Sequence, residues 1–196
     1  SELDAETGAL LARNPYNVEF AGQAAFLHAT EPARSFTGDR GEFIGRDRTL
    51  ANPAALLRPQ LGGRVGPGLD PCGALQLTIA IEPGETRRLA FVLGHHAERS
   101  AASALAVRYA SLAQCETALA DAEHWWTEML GAVQVTTPDD SFDLIVNRWL
   151  PYQTLSCRIW ARSGPYQPGG AFGFRDQLQD VLSLLYARPD LCREHL

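Results

Sequence analysis

The sequence predicts an α+β protein in which an antiparallel β-sandwich comes first and helices follow. Apolar residues alternate with a period of two before about residue 96 and recur with a helical period after it. The alanine- and glutamate-rich stretch 97–130 also contains neither glycine nor proline. We therefore expect a sandwich in residues 1–96, a helical linker in 97–136 and further helices in 137–196.

The clearest predicted strands flank a tight turn. Apolar residues alternate from Leu75 to Ile81 and again from Leu89 to Leu93. Between them, Glu82-Pro83-Gly84-Glu85 is typical of a turn, because proline suits its second position and glycine its third. These features predict a β-hairpin. Weaker patterns predict earlier strands at Asn17–Phe20, Ala24–Ala29 and Glu42–Ile44.

The second half of the chain has helical signals. A heptad spacing of apolar residues through 97–130 predicts one connecting helix or two, ending at Gly131. Another helix is predicted from Thr137-Pro138, with Thr137 as its cap and a kink at Pro151. A third is expected from about Asp176 to Ala187 and a fourth from Pro189, and since the chain stops at Leu196 we expect a fragment of a longer protein.

Composition excludes several classes of function. All 17 basic residues are arginine, so Schiff-base lysines and Walker-type phosphate loops are excluded. The net charge of -6 argues against a nucleic-acid partner. The four cysteines lack the close pairs of a zinc site and predict reduced thiols. No apolar run approaches the ~18 residues that a membrane span requires.

The densest group of polar residues is Gly173–Asp180, where a loop enters a predicted helix. Aspartate and glutamine side chains there can exchange hydrogen bonds with vicinal sugar hydroxyls, and Arg175 can fix a carboxylate. The plainer interpretation is that Asp176 is an acid in the first helical turn, favoured by the helix dipole, with Asp180 a solvated neighbour. The pattern alone favours this plainer interpretation.

Three further groups of residues could carry chemistry, but each has a structural explanation. The histidine pair lacks a carboxylate or cysteine at ligand spacing, the tryptophans suit an apolar core, and helix capping explains the first two of the three aspartates. We expect no metal site. The groups are His95-His96, then Trp125-Trp126 with Trp160, and Asp139, Asp140 and Asp143.

The motifs of the second half resemble those of glycoside hydrolase family 94. They read Asn-Arg-Trp-Leu-Pro-Tyr-Gln-Thr-Leu over 147–155 and Gly-Ala-Phe-Gly-Phe-Arg-Asp-Gln-Leu-Gln-Asp over 170–180. The family contains cellobiose and chitobiose phosphorylases and the phosphorylase-like region of cyclic β-1,2-glucan synthases. Residues Gly38–Arg46 and Gly68–Cys72 resemble the glucan-synthase branch. The resemblance implies a β-sandwich, a helical linker and an (α/α)6 barrel, of which 137–196 would be the first helices.

The same resemblance implies inverting phosphorolysis of a β-1,2-glucan, with inorganic phosphate as co-substrate and no other cofactor. It implies sugar contacts from Asp176 and Arg175, to which we add Gln167, Gln179 and Asp180. The disaccharide phosphorylases have an arginine where this chain has Gly170, which favours a longer glucan. The family's general acid is expected beyond Leu196, so we expect no catalytic residue here and no activity from this chain alone.

The expected partners are a β-glucan oligosaccharide and the remainder of the barrel. Self-association is expected through an exposed helix face that includes Leu178, Val181, Leu182 and Leu185. The resemblance places the parent protein in the inner membrane, with this region on the cytoplasmic face and itself soluble. The alternative function is a glucan-binding or scaffolding module without chemistry.

Overall fold

The computed structural model of the protein describes residues 1–16, 18, 21–161 and 173–195. The chain divides into two compact units, Ser1–Ala118 and Leu119–Leu196. The boundary between these units falls inside the predicted linker 97–136, and the predicted domain limits stay predictions. In the described part of the chain, no helix is long and apolar enough to cross a membrane.

The first unit contains two antiparallel sheets, which confirms the predicted α+β class with a sandwich at its start. The four-stranded sheet has the order β1-β2-β3-β6 and the second sheet pairs β4 with β5. The strands are β1 Glu2–Leu3, β2 Leu10–Arg13, β3 Ala24–Ala29, β4 Ser35–Asp39, β5 Pro71–Gln76 and β6 Phe91–His96.

Strand β3 is central because it pairs with β2 on one side and β6 on the other. Its Ala24 and Phe26 side chains are buried on one face, which the helix α2 (Arg99–Arg108) contributes to covering. Ala102 and Ala106 lie one turn apart on α2 and are fully buried. Their small side chains let the helix approach the sheet closely, and the predicted strand Ala24–Ala29 is confirmed.

The predicted hairpin between residues 75 and 93 is wrong. The turn itself forms, with Gly84 at φ +82 and a 2.9 Å hydrogen bond from the Glu85 amide to the Glu82 carbonyl. However, β5 pairs with β4 and β6 pairs with β3, so the two strands belong to different sheets. The first predicted strand is also misplaced, because β5 ends at Gln76 and residues 77–81 are not in a strand. Alternation of apolar residues did not reveal the partner of either strand, which long-range packing selects. In β6 the core-facing residue is Val92, while Leu93 is exposed at an open cavity of about 460 Å³.

The other weak strand predictions have different outcomes. Residues 42–44 form no strand, because they belong to the helix α1 (Arg40–Ile44). The buried Asp39 side chain caps this helix by accepting hydrogen bonds from the amides of Gly41 and Glu42, at 2.9 and 3.3 Å. The predicted strand Asn17–Phe20 lies mostly outside the described residues. A 3-10 helix spans Ala54–Leu57.

Stretch 97–130 forms two helices, α2 and α3 (Leu112–Gly131), so the second of the two predicted alternatives holds. The break is a reciprocal cap: the Ser111 hydroxyl accepts from the Gln114 amide at 3.3 Å, and the Gln114 side chain accepts from the Ser111 amide at 3.2 Å. This Ser-x-x-Gln pattern is a capping box. The predicted end at Gly131 is confirmed.

The next helical run starts two residues later than predicted, with Asp139 rather than Thr137 as its cap. The Asp139 carboxylate accepts from the amides of Ser141 and Phe142, at 2.9 and 3.2 Å. The run comprises α4 Asp140–Leu144, a π-helical turn Ile145–Trp149, α5 Leu150–Gln153 and a π-helical segment Thr154–Trp160. Pro151 lies between the two π-helical parts, consistent with a helix whose regular hydrogen-bond ladder it interrupts.

Helices α6 (Phe174–Leu182) and α7 (Pro189–His195) complete the second unit, and the predicted start at Pro189 is confirmed. Helix α6 ends before the predicted Ala187, because residues 183–185 continue with tighter i→i+3 bonds. The core of this unit consists of Met129, Leu155, Val181, Leu184 and Cys192. Val181 is therefore buried and cannot belong to an exposed apolar face, whereas Leu182 and Leu185 are exposed.

Candidate functional site

The candidate site lies on α6, which carries four of the five predicted sugar contacts. Asp176 and Asp180 are four residues apart, so they lie on the same face of the helix. Gln179 is exposed beside that face, and Arg175 precedes Asp176 in the first turn. The fifth predicted contact, Gln167, lies outside the described residues. Gly170, the position of the missing arginine, also lies outside them.

Asp176 has room for its carboxylate because residue 173 is glycine. A Cβ atom added at Gly173 would lie 2.5 Å from Asp176 Oδ2, closer than any real contact. The Asp176 side chain is 49% exposed, and Arg175 Nη2 is 3.6 Å from its Oδ1. Since the Arg175 side chain is 84% exposed, water screens this pair strongly. The carboxylate is thus weakly held and can accept hydrogen bonds from a ligand.

Asp180 is held more firmly, by a residue that the sequence analysis did not single out. Arg158 Nε donates a hydrogen bond to Asp180 Oδ2 at 2.8 Å. The side chains are 39% and 28% exposed, respectively. Arg158 sits beside the fully buried Leu155 and the partly buried Ile159 on its segment. The sequence does carry a signal for this ion pair, because Arg158 lies near apolar residues of its helical segment. A charge that is partly buried there requires a partner of opposite charge.

An aromatic cluster occupies the same unit. The ring centroid of Trp126 is 5.7 Å from that of Trp160 and 5.1 Å from that of Tyr152. Trp125 and Trp126 meet edge-on, with their ring centroids 4.9 Å apart. Trp125 and Trp126 pack against the apolar core, which supports the structural interpretation of these two residues. Trp149 is half-exposed and, with Tyr152, lines an apolar groove of about 350 Å³.

The aspartates at the start of α4 serve the fold. Asp139 caps the helix, as described above, and Asp143 accepts from the Thr137 amide at 3.0 Å and from its hydroxyl at 2.8 Å. Thr137 therefore braces the loop before the helix instead of capping it. Capping therefore accounts for Asp139, as expected, whereas Asp140 is the first residue of α4 and not a cap. Asp143 is engaged by Thr137.

The histidine pair ends β6 at the surface. His96 Nδ1 accepts a hydrogen bond from the Glu98 amide at 3.1 Å, and both side chains are exposed. Among the residues that the structure describes, no three histidine, cysteine, aspartate or glutamate side chains are grouped to hold a metal ion.

The motif Gly38–Arg46 forms a network of buried carboxylates in the first unit. Glu42, whose side chain is 7% exposed, accepts from the Thr37 hydroxyl at 2.5 Å and the Gly62 amide at 2.6 Å. Arg58 Nη1 lies 3.3 Å from the same carboxylate. Arg64 Nη1 lies 2.7 Å from Asp39 Oδ2. This motif thus anchors the loop around 58–64 to β4 and α1.

The motif Gly68–Cys72 lies against the first one. The Arg40 amide donates to the Asp70 carbonyl at 2.8 Å, and Asp39 pairs with Pro71 in the β4–β5 sheet. Burial, followed by the nearby charge of Asp39, raises the pKa of the Cys72 thiol above its usual range. The thiol therefore stays protonated and unreactive at neutral pH. The two motifs form one structural assembly.

Comparison with known protein families gives two matches in chain order. Residues 1–112 match the family described as glycosyl hydrolase 94, supersandwich domain. Residues 125–196 match the glycosyl hydrolase 94 superfamily, catalytic domain. The candidate site on α6 falls within the second match, and the buried carboxylate network falls within the first.

Curated relatives agree with these matches. The chain is 39% identical to the cyclic β-(1,2)-glucan synthase NdvB of Rhizobium meliloti (strain 1021), over 100% of this chain and 7% of that protein. It is 32% identical to the N,N'-diacetylchitobiose phosphorylase of Vibrio furnissii, over 87% of this chain and 22% of that protein. The chain is 29% identical to the N,N'-diacetylchitobiose phosphorylase of Vibrio proteolyticus, over 92% of this chain and 23% of that protein. The chain thus spans less than a quarter of the length of each of these relatives.

Proposed function

The chain belongs to glycosyl hydrolase family 94, and from this membership we propose that it supplies part of the sugar-binding site of a β-1,2-glucan phosphorylase. The observation that carries the proposal is the 39% identity to a cyclic β-(1,2)-glucan synthase along the whole chain. The helix α6 supports it, because Asp176 there is a half-exposed carboxylate beside the largely exposed guanidinium of Arg175.

In the proposed reaction, a carboxylic acid protonates the glycosidic oxygen while inorganic phosphate attacks the anomeric carbon from the opposite face. The products are an α-sugar 1-phosphate and a shortened glucan. Asp176 would accept hydrogen bonds from vicinal hydroxyls of the sugar whose bond is cut, assisted by Arg175. Gln179, Asp180 and Gln167 would contribute further polar contacts. The general acid would lie beyond Leu196, so we expect residues 1–196 alone to have no phosphorolytic activity.

The test is release of glucose 1-phosphate from β-1,2-gluco-oligosaccharides and phosphate, using the full-length gene product. We expect Asp176→Asn to lower kcat/KM by about 10²-fold. This corresponds to the weakening of two charge-assisted hydrogen bonds by about 1.5 kcal/mol each. Asp121→Asn is the matched control, because Asp121 is an exposed aspartate on α3. It should leave kcat/KM unchanged.

Three results would contradict parts of the proposal. Unchanged turnover in Asp176→Asn would remove Asp176 from the sugar site. Saturable glucan binding without glucose 1-phosphate release would favour the non-catalytic binding module. Phosphorolysis by residues 1–196 alone would show that the general acid lies within them.

We extend the proposal to partners and location. The remainder of the catalytic domain would be the first partner, and self-association would use the exposed Leu182 and Leu185 on the surface of the second unit. A sedimentation experiment on residues 1–196 that gives a monomer at all concentrations would rule out self-association. The cytoplasmic face of the inner membrane is the proposed location of the parent protein, and fractionation of cells tests it.

A further inference from the structure

We propose that Arg158 is a positioning residue of the sugar site, which acts by orienting the carboxylate of Asp180. This inference rests on the proposed function, because it concerns the same face of α6. The contact is specific: Arg158 Nε donates to Asp180 Oδ2 at 2.8 Å. In the described part of the chain, it is the ion pair that joins α6 to another helical segment.

The position of the pair on α6 connects it to the site. Asp180 lies one helical turn after Asp176, so both carboxylates are on one face and the guanidinium of Arg158 approaches that face. The pair is also more sheltered than the pair of Arg175 with Asp176, whose arginine is largely exposed. Shelter from water makes the Arg158 contact the stronger constraint on the helix face.

The contact fixes one oxygen of Asp180 and leaves the other. Among the residues that the structure describes, none donates a hydrogen bond to Oδ1, so this oxygen is available as an acceptor beside the fixed Oδ2. Because the carboxylate is already oriented, a sugar hydroxyl can bind to it without the entropic cost of ordering this side chain. The same contact holds α6 against the segment Thr154–Trp160, so the direction of Asp176 also depends on it. Small misplacements of such groups can cost up to about 10²-fold in rate.

The test measures kcat/KM for β-1,2-gluco-oligosaccharides with the full-length protein, well below its Tm. We expect Arg158→Gln to lower kcat/KM about tenfold. In an Asp180→Asn background, the same change should produce no further loss, because the partner through which Arg158 acts is already altered. Arg188→Gln is the control: Arg188 forms a comparable ion pair with Asp190 near α7 and should leave kcat/KM unchanged.

A charge-swapped variant separates positioning from simple support of the fold. Arg158→Asp combined with Asp180→Arg can restore an ion pair, and hence Tm, but places a cation where the sugar should find a carboxylate. We expect Tm to recover while kcat/KM stays low. Recovery of both would overturn the proposal and assign the pair a structural role only.

Two further outcomes distinguish this inference from the proposed function. If Asp176→Asn abolishes turnover but Arg158→Gln has wild-type kcat/KM, the inference fails and the proposed site stands. If Asp176→Asn has no effect, the proposed site itself fails. Arg158→Lys provides a second variant where the glutamine does not fold. It retains the charge, and we expect kcat/KM between that of the wild type and that of Arg158→Gln.

Discussion

Replacing Glu42 by alanine should severely destabilise the first unit. The carboxylate is nearly buried and accepts hydrogen bonds from the Thr37 hydroxyl, the Gly62 amide and the Arg58 guanidinium. The substitution removes the two oxygens that accept these three hydrogen bonds. The Thr37 hydroxyl suffers most, because Thr37 is fully buried and water cannot replace the lost partner.

The size of the effect follows from the exposure of each partner. An orphaned buried hydroxyl at Thr37 costs about 1–3 kcal/mol, and the lost Gly62 bond costs about 1 kcal/mol. The half-exposed Arg58 contributes less than about 1 kcal/mol. The buried methylene groups of Glu42 add about 1 kcal/mol. The sum is about 3–6 kcal/mol, a large share of the stability of a domain of this size.

Two reporters assign the loss to one unit. All four tryptophans lie within residues 119–196, so tryptophan fluorescence follows the second unit. Cys72 lies in the first unit, with its Sγ 3.9 Å from the Thr37 carbonyl oxygen. Its labelling during urea denaturation, measured by peptide mass spectrometry, follows the network directly. For a slope of about 2 kcal/mol per M, the labelling midpoint should fall by about 1.5–3 M.

Two variants make the reasoning refutable. Glu42→Gln keeps one oxygen, which can still accept from the Thr37 hydroxyl, and loses the acceptor of the Gly62 amide and Arg58; it should cost only about 2 kcal/mol. Thr37→Val should lower the free energy of unfolding less in the Glu42→Ala background than in the wild type. In that background it removes a buried hydroxyl that has already lost its acceptor. Strictly additive effects of Thr37→Val and Glu42→Ala, or equal losses for the glutamine and alanine variants, would refute the orphaned-hydroxyl account.

Two more predictions concern the site and the response to acid. Gly173→Ala should displace the Asp176 carboxylate and lower kcat/KM for gluco-oligosaccharides about tenfold. The control Gly131→Ala should leave kcat/KM unchanged, because its added Cβ meets nothing within 4 Å. Equal kcat/KM values for the two variants would refute the need for space at residue 173. The hydrogen bond from Arg99 holds the pKa of Glu2 below its ordinary value of 4.5. The folded chain therefore binds fewer protons than the unfolded chain near pH 4. This contribution to stability is present above pH 4.5 and is lost as the pH falls through the folded pKa. Arg99→Gln should reduce the difference between urea midpoints at pH 7 and pH 3, measured by circular dichroism; an unchanged difference would contradict this account.

Local signals in the sequence predicted the elements better than their partners. The turn at Glu82–Glu85 depends on the positive φ of Gly84, and both this turn and the helix end at Gly131 form where predicted. The hairpin failed because the partner of β5 is β4, about 35 residues earlier in the chain. Nothing in a local alternation of apolar residues encodes that separation. Similarly, Glu42 was predicted to lie in a strand, because the local pattern does not reveal that Asp39 caps a helix there.

The site was predictable in composition but not in its internal partners. The polar cluster at Gly173–Asp180 could be found from residue type and from its place at the start of a helix. The pairing of Asp180 with Arg158 could not, because the two residues are 22 positions apart and their helices meet only in the folded unit. The spacing of Ser111 and Gln114 did encode a helix break, through a pattern that apolar periodicity does not register.

The carboxylates of the chain differ in how many of their hydrogen bonds are made within the protein. This difference distinguishes carboxylates that stabilise the fold from those that are available to bind a ligand. In Gly38–Arg46, the carboxylates of Asp39 and Glu42 are buried and engaged by amides, a hydroxyl and arginines. Such groups have little capacity left for a ligand, so this motif stabilises the fold. Asp176 differs, because its carboxylate is half-exposed and the cation paired with it, Arg175, is itself largely in water. A carboxylate left in this state gains most from sugar hydroxyls, which favours α6 over the N-terminal motifs as the site of binding.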